Sequence, residues 1–313
     1  MSAWSYSRHL QRLMIDFGAE GSFERSSKRL KLHHHVSVSS SIIRKITLQH
    51  GKLIQQQQKL EGGHGRLKSQ GAACIITELD GSMVPIVACS AGKGSSDSRK
   101  HRDCYWKEAR LCAAQVQGES STHYGVSFGS VEQAGFTWSA TVAKLGWSIH
   151  TDLHVVGDGA PWIAQQSSEC LGAGYLVDFY HVCDYLAAAS TTAATHPRWL
   201  EVQKKRLKNN RADKVIKALK PYSEEAYCPD RDAPVRVAIR YLRNRIDQLD
   251  YHSAIEKDLP IGSGMIESAH RHILQDRLKL AGAWWTQENA EAMAALRVAR
   301  ANEEESYYWK KAA

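Results

Sequence analysis

The spacing of apolar side chains changes character along the chain, and each change marks a new kind of element. Leu10, Met14 and Phe17 recur at helical intervals and predict a helix over residues 4–17. Gly21-Ser22 opens a second over 23–32, which carries Arg25, Lys28, Arg29 and Lys31. After His33-His34-His35-Val36, Ser37 or Ser39 would cap a third helix reaching to about His50. There Ile42, Ile43 and Ile46 face inward, leaving Ser40, Ser41, Arg44 and Lys45 outward. Three consecutive histidines cannot share one helix face, so His33–His35 reads as a polar turn, not a metal tripod. The glutamines 55–58 and the glycines 62, 63, 65 and 71 mark a helix end and a linker. This divides a head (1–58) and a linker (59–72) from the remainder of the chain.

From Ala73 the pattern is that of strands. Residues 73–80 read as a buried strand ending at Asp80, Gly81-Ser82 as a turn, and 83–88 as the hairpin partner. A polar loop over 92–103 leads to a third strand over 104–117. Residues 130–145 have helical spacing, and 153–157 form a short buried strand delivering Asp158 at its end. A helix over 160–170 comes next, then a strand over 174–178 that runs into a helix through Tyr185 and Leu186. Residues 197–258 are nearly all helical and highly charged, an insertion that separates the first part of the core (73–196) from the C-terminal helices (259–313). Three antiparallel strands, then alternating helix and strand, predict an α/β fold: a mixed sheet with helices on both faces.

Composition narrows the class. Hydrophobic content of 43% and charged content of 24% over 313 residues are ordinary for a globular protein. No stretch has the length of a membrane span and no apolar signal core opens the chain. The seven cysteines form no CxxC pair, which fits reduced thiols in a cytosol and argues against a cysteine-based zinc site. The net charge is +8, and residues 1–70 alone hold twelve Lys and Arg against four acids. The rest of the chain therefore balances, and the head is expected to meet a polyanion. Its proportions are those of a helix-turn-helix, with Ser40, Ser41, Arg44 and Lys45 at the end that enters a major groove.

Three carboxylates carry the candidate chemistry: Asp80 in Glu-Leu-Asp-Gly-Ser, Asp158 in Gly-Asp-Gly-Ala-Pro-Trp, and Glu267 in Gly-Ser-Gly-Met-Ile-Glu-Ser. Acids at the ends of neighbouring central strands repel each other unless a divalent cation takes them as oxygen ligands. Two such ions over a phosphodiester would activate the attacking oxygen and stabilise the leaving one. Taken singly, each acid is also what a turn or a helix start selects. For Glu267 the two readings tie: the basic residues after it, Arg271, Arg277 and Lys279, suit phosphate contact or the helix dipole. Trp284 suits stacking on an unpaired base, although packing is the commoner task for one of Trp284 and Trp285.

Four ordered blocks break that tie by resemblance: Gly157–Ile163, Leu176–Val182, Ile261–Ser268 and Arg277–Trp285. Across approximately residues 22–310 the chain resembles the ISKra-type insertion-sequence transposases, DDE enzymes similar in layout to the Mutator-like group. The resemblance implies a ribonuclease-H-like core with an all-helical insertion, and Asp80, Asp158 and Glu267 as the catalytic, metal-binding triad. It implies two Mg²⁺ ions, for which Mn²⁺ substitutes, and strand cleavage and transfer at transposon ends. Asp178 and His181 match a further motif and would support the triad. The expected partners are double-stranded DNA and a second copy of the chain, with no membrane, in a bacterial cytoplasm near the nucleoid. Another ribonuclease-H-like nuclease or resolvase is the alternative, as is an inactive derivative that only binds DNA.

Overall fold

In the computed structural model, which describes residues 6–61, 71–89 and 102–311, the chain opens with helices α1 (Arg8–Glu20), α2 (Phe23–His34) and α3 (Ser40–Glu61). Ser7, Ser22 and Ser39 accept the N–H groups of Leu10, Arg25 and Ile42, the side-chain caps that start these helices. α2 stops where His35 turns left-handed at φ 55°, within the expected polar turn. The third helix does not end near His50 but continues to Glu61. Its inward stripe continues too, through Leu48 and Ile54. Gly51 lets a C-terminal helix approach so closely that an added Cβ would lie 2.5 Å from the Ala292 carbonyl.

The sheet has β1 (Cys74–Cys89), β2 (Arg102–Val116), β3 (Thr122–Ser127), β4 (Asp152–Gly157) and β5 (Leu176–Val177), ordered β3-β2-β1-β4-β5. β2 is antiparallel to β1 and β3; β4 is parallel to β1 and to β5. Three antiparallel strands are present as expected, but differently cut. The hairpin turn expected at Gly81-Ser82 does not exist, because β1 runs straight through it. Gly81 pairs with Arg110 and Ser82 with Ala109, so the long partner strand holds the dipeptide extended. β3 supplies the third strand instead.

α4 (Val131–Lys144) connects β3 to β4, starting in a reciprocal Ser130–Gln133 capping box. α5 (Pro161–Gln166), loosened to a π turn over Ser167–Leu171, connects β4 to β5. α6 (Phe179–Ala193) leads to the insertion, α7 (Trp199–Lys208), α8 (Ala212–Leu219), α9 (Pro234–Arg243) and α10 (Tyr251–Glu256). α11 (Gly264–Ala269) passes through a π turn, His270–Gln275, into α12 (Asp276–Leu278), and α13 (Gln287–Ala301) and α14 (Glu305–Lys311) close the chain.

Alternation along β1 sorts the core. Ile75 and Leu79 point to one face, into a cluster with Trp138, Val142 and Ile163 from α4 and α5. Val84 and Ile86 point to the other, into a cluster with Ile266, Ile273, Met293 and Leu296. That second cluster also contains Met14, Leu30 and Ile43, so the head shares its core with the sheet and the C-terminal helices. A third cluster joins Val156 of β4 and β5 to Trp199, Val215, Leu242 and Tyr251 of the insertion. Cys74, Cys104, Cys112, Cys170, Cys183 and Cys228 are free thiols, and no helix among the described residues is long and apolar enough to cross a membrane. The expectations for Trp4, for linker residues 62–70 and for residues 92–101 of the polar loop lie outside the described residues.

Candidate active-site crevice

The parallel ladders stop together. The last matched residues are Glu78 of β1 with Val156 of β4, and Val156 with Leu176 of β5 before its final pair, Gly157 with Val177. Two residues beyond that level on each chain stand Asp80, Asp158 and Asp178. In register order they make a row, each two residues past a paired position of its strand, and the Asp178 N–H donates to the Gly157 carbonyl at 2.7 Å. The chains part at this level because Gly159 turns at φ +89° and Asp178 caps α6. β1 alone continues, as a ribbon with β2.

The helix segment α11–α12 lies along β1 on the face of the even-numbered residues. Glu78 Oε2 accepts the N–H of Ile266 at 2.7 Å, His270 Nε2 lies 3.2 Å from Asp80 Oδ2, and Lys279 Nζ donates to Ser82 Oγ at 2.9 Å. Alternate strand residues thus meet successive turns of one helix. Glu78 is 1% exposed, and burial pushes its pKa up to about 8, with the charges of Asp178 and Glu267 adding to the effect. It therefore keeps its proton at neutral pH. Burial also lowers the Lys279 pKa.

Asp178 grips the same helix from the far side of the row. Its Oδ1 accepts the N–H groups of Tyr180 and His181, and its Oδ2 accepts both the N–H (2.7 Å) and the hydroxyl (2.5 Å) of Ser263. All of its acceptor capacity is spent on structure. The Asp158 turn is fixed from the insertion: Tyr241 donates to the Asp158 carbonyl at 2.8 Å, and Arg245 Nε to that of Gly159 at 2.8 Å. The Gly159 N–H donates to the Tyr175 hydroxyl at 2.9 Å. Burial, with the Asp158 charge contributing, raises the pKa of both tyrosines and keeps them protonated. The His181 ring packs 5.6 Å from Tyr185 and 6.2 Å from Tyr241, which stack on each other at 4.0 Å. His181 thus packs beside the Tyr241 ring whose hydroxyl holds the Asp158 carbonyl.

Carboxylate oxygens without hydrogen-bond partners identify what remains for chemistry. Among the described residues Asp158 uses only Oδ1, which accepts the Ala160 N–H, and Asp80 Oδ1 accepts the Gly81 N–H, leaving Oδ2 beside His270. Glu267 is exposed and its carboxylate makes no hydrogen bond or ion pair among the described residues, although its charge reaches Glu78. His270 is buried. Its Nε2 is within ion-pair distance of Asp80 but off the direction of a hydrogen bond, and among the described residues both ring nitrogens lack hydrogen-bond partners. Hard divalent cations take oxygen ligands, so Asp80, Asp158 and Glu267 fit a magnesium-type ion in chemical kind. Among the described residues, however, no three His, Cys, Asp or Glu side chains are gathered closely enough to hold an ion.

The expected DNA-contact residues divide. Ser41, Arg44 and Lys45 are exposed and Ser40 half-buried at the start of α3, and Arg271 is exposed on the π turn. Arg277 has to be reassigned. It is 2% exposed, donates to the Gly18 carbonyl at 2.9 Å, and lies 4.6 Å from the Phe23 ring and 4.8 Å from that of Trp285. It cements the head to the core and faces no external phosphate. Trp285 is buried too, its backbone bonded to Pro85 and Val87 of β1, whereas Trp284 is exposed 6.2 Å from the exposed Trp106 of β2. Sequence reasoning places His270 on the Glu267 helix only as one of the basic residues after the acid, and does not single out Glu78, Trp106, Tyr241 or Arg245 as parts of the site. Glu78 alone leaves a signal there, an acid two residues before Asp80 in an otherwise apolar strand.

A family model described as an uncharacterised protein family, UPF0236, matches residues 146–310, from before β4 into α14. The match takes in Asp158, Asp178 and Glu267. No curated protein matches the chain.

Proposed function

We propose that this chain, which belongs to the UPF0236 family, is a DDE transposase: a divalent-cation-dependent enzyme that cuts and joins DNA strands at the ends of an insertion sequence. The observation that carries the proposal is the row at the ladder ends. Asp80 and Asp158 each lie two residues beyond the last β1–β4 pair, Glu78 with Val156, and the helix bearing Glu267 is tied to these strand ends by Glu78 and Asp178. The strand order, three antiparallel strands followed by two parallel ones, supports a ribonuclease-H-like reading of the sheet.

Asp80, Asp158 and Glu267, the carboxylates with oxygens to spare, would hold the ions. Such ions, when bound, activate a water or a 3′-hydroxyl and stabilise the leaving oxygen of an in-line displacement. The chain's own task is positioning. Tyr241 and Arg245 fix the Asp158 turn, while Glu78 and Asp178 fix the first turn of α11. Arg271 and Lys279 put positive charge along the helix, and Trp284 with Trp106 offers an exposed aromatic surface for an unstacked base. The head would contact duplex DNA through Ser40, Ser41, Arg44 and Lys45, with two copies of the chain on paired ends in a bacterial cytoplasm.

The test uses a plasmid carrying the DNA that flanks the reading frame, with Mg²⁺ or Mn²⁺. Asp158→Asn is expected to abolish cleavage while DNA binding stays within about twofold, since removing a metal ligand removes transition-state stabilisation. Mg²⁺-dependent cleavage retained in that variant rejects Asp158 as a ligand. Precleaved ends that yield only shorter products, never joined ones, would indicate a nuclease or resolvase instead. Binding without cleavage by the wild type would indicate an inactive derivative.

A further inference from the structure

The first part of the insertion is far more basic than its surroundings. Residues 198–220 hold nine Lys and Arg against two acids, a net charge of +7 in a chain whose part beyond residue 70 is neutral overall. α7 and α8 bury Trp199, Leu207, Ala212, Val215, Ile216 and Leu219 in one shared cluster, so their other faces turn to solvent. Lys205, Arg211, Lys214 and Lys217 are exposed there and have no ion pair among the described residues; Lys204 is paired, with Glu201.

The end of α7 reaches the start of α6. Lys208 Nζ, at the end of α7, lies 4.9 Å from the ring centroid of Phe179, the residue after Asp178. Asn210 in the α7–α8 turn bonds the Asp250 carboxylate at 2.6 Å and the His252 N–H at 3.1 Å, which fixes the turn to α10. The segment leaving α10 is in turn held to the sheet, His154 Nε2 bonding the Pro260 carbonyl at 2.7 Å and the Phe179 N–H that of Ile261 at 2.8 Å. The two helices that carry the cations are thus braced against the rest of the core instead of forming a loose arm.

We propose that the outward face of α7 and α8, with Lys205, Arg211, Lys214 and Lys217, is a second duplex-DNA surface that holds the substrate backbone beside the carboxylate row. It deepens the function proposed above and rests on that reading for DNA as the polyanion. Lysines and arginines free of acidic partners suit phosphates, which they neutralise with release of condensed counterions. The recognition is of backbone and carries no sequence preference.

The experiment measures binding of a short fluorescent DNA duplex of arbitrary sequence by the full chain, in EDTA, over a series of salt concentrations. Replacing Lys205, Arg211, Lys214 and Lys217 together by Gln is expected to weaken binding at least about tenfold at low salt. The slope of log affinity against log salt should fall by roughly 2 to 4, near 0.9 for each phosphate no longer neutralised. A lysine-acetylation footprint should show Lys205, Lys214 and Lys217 protected by the duplex, a readout that does not depend on the variant folding. Unchanged affinity and slope, or lysines that stay equally reactive, overturn the surface. EDTA separates this outcome from the proposed chemistry. A wild type that cuts nothing in Mg²⁺ but shows the protected lysines loses the enzyme reading and keeps this surface. Cleavage with unprotected lysines does the reverse.

Discussion

His50 shows how one side chain couples the head to the end of the chain and to pH. It is 3% exposed on α3, its Nδ1 2.5 Å from the Tyr308 hydroxyl of α14 and its Nε2 2.8 Å from Gln11 Oε1 of α1. Burial lowers its pKa from 6.5 to about 4. In the unfolded chain the ring protonates below 6.5, whereas in the folded chain it resists until about 4. The unfolded state therefore binds the extra proton between these values, and stability falls as pH drops through that window. At 1.36 kcal/mol per unit the loss is at most about 3 kcal/mol, complete by pH 4. Urea unfolding of the wild type should show this acid-side loss. His50→Gln, which cannot titrate, should be less stable at pH 7 but flatter between pH 6.5 and 4; an equally steep profile would exclude His50 as its source. Sequence reading at the residue scale succeeds unevenly for a related reason. Asp80, Asp158 and Glu267 stand in recognisable local settings, while His50, His270 and Glu78 matter through partners scores or hundreds of positions away, which no local pattern records.

At the scale of elements, the decisive unit is the first turn of α11 held between two strand ends. Ser263 is bound by Asp178 and Ile266 by Glu78, so both acids act on the helix that presents Glu267 and not on a ligand of their own. Glu78→Gln keeps a carbonyl acceptor for the Ile266 N–H, whereas Glu78→Ala leaves that buried donor unpaired at a cost of about 1–3 kcal/mol. On the proposed function, Glu78→Ala should lower kcat for strand cleavage more than tenfold with DNA affinity little changed, and Glu78→Gln should recover most of it. Equal activity of the Ala and Gln variants would mean that the acceptor does not position Glu267. The same scale explains the misread hairpin. Asp80-Gly81-Ser82 has the residues of a turn, but a turn forms only where the chain lacks a better use for its backbone groups. Here β2 supplies partners to both sides of the dipeptide, and the ladder wins. The periodic stretches carry their own information, so α4, β4, α6 and the helical insertion are legible within a few residues. The small β3 is not, because its six residues alternate too weakly to be distinguished from a loop.

For the whole molecule, the sequence suggests a detachable basic head, and the packing argues otherwise. Composition marks a boundary near residues 59–72, yet Met14, Leu30 and Ile43 share one cluster with Val84, Ile266, Met293 and Leu296. The buried Arg277 bonds α1 between two aromatic rings, and Arg297 donates to the Ala19 carbonyl at 2.6 Å. A polar, glycine-rich composition is local information; whether the parts on either side of it have separate cores depends on faces that meet in space. Removing residues 1–61 would expose the apolar face of α13 that packs on α3 and strand two buried guanidinium groups, a loss comparable with the whole stability of a domain, about 5–15 kcal/mol. The truncated chain is therefore expected to lose its cooperative thermal transition, and a normal transition in that fragment would restore an independent head. For the same reason DNA contact by the head is to be tested in the full chain, with Arg44→Gln and Lys45→Gln, whose exposed side chains leave the shared core untouched. Their loss should reduce the salt slope of duplex binding by roughly 1 to 2, separately from the α7–α8 variant, because substitutions far apart in the molecule act additively. A combined variant whose slope falls no further than either set alone would mean that the head and the insertion do not hold the same duplex at once.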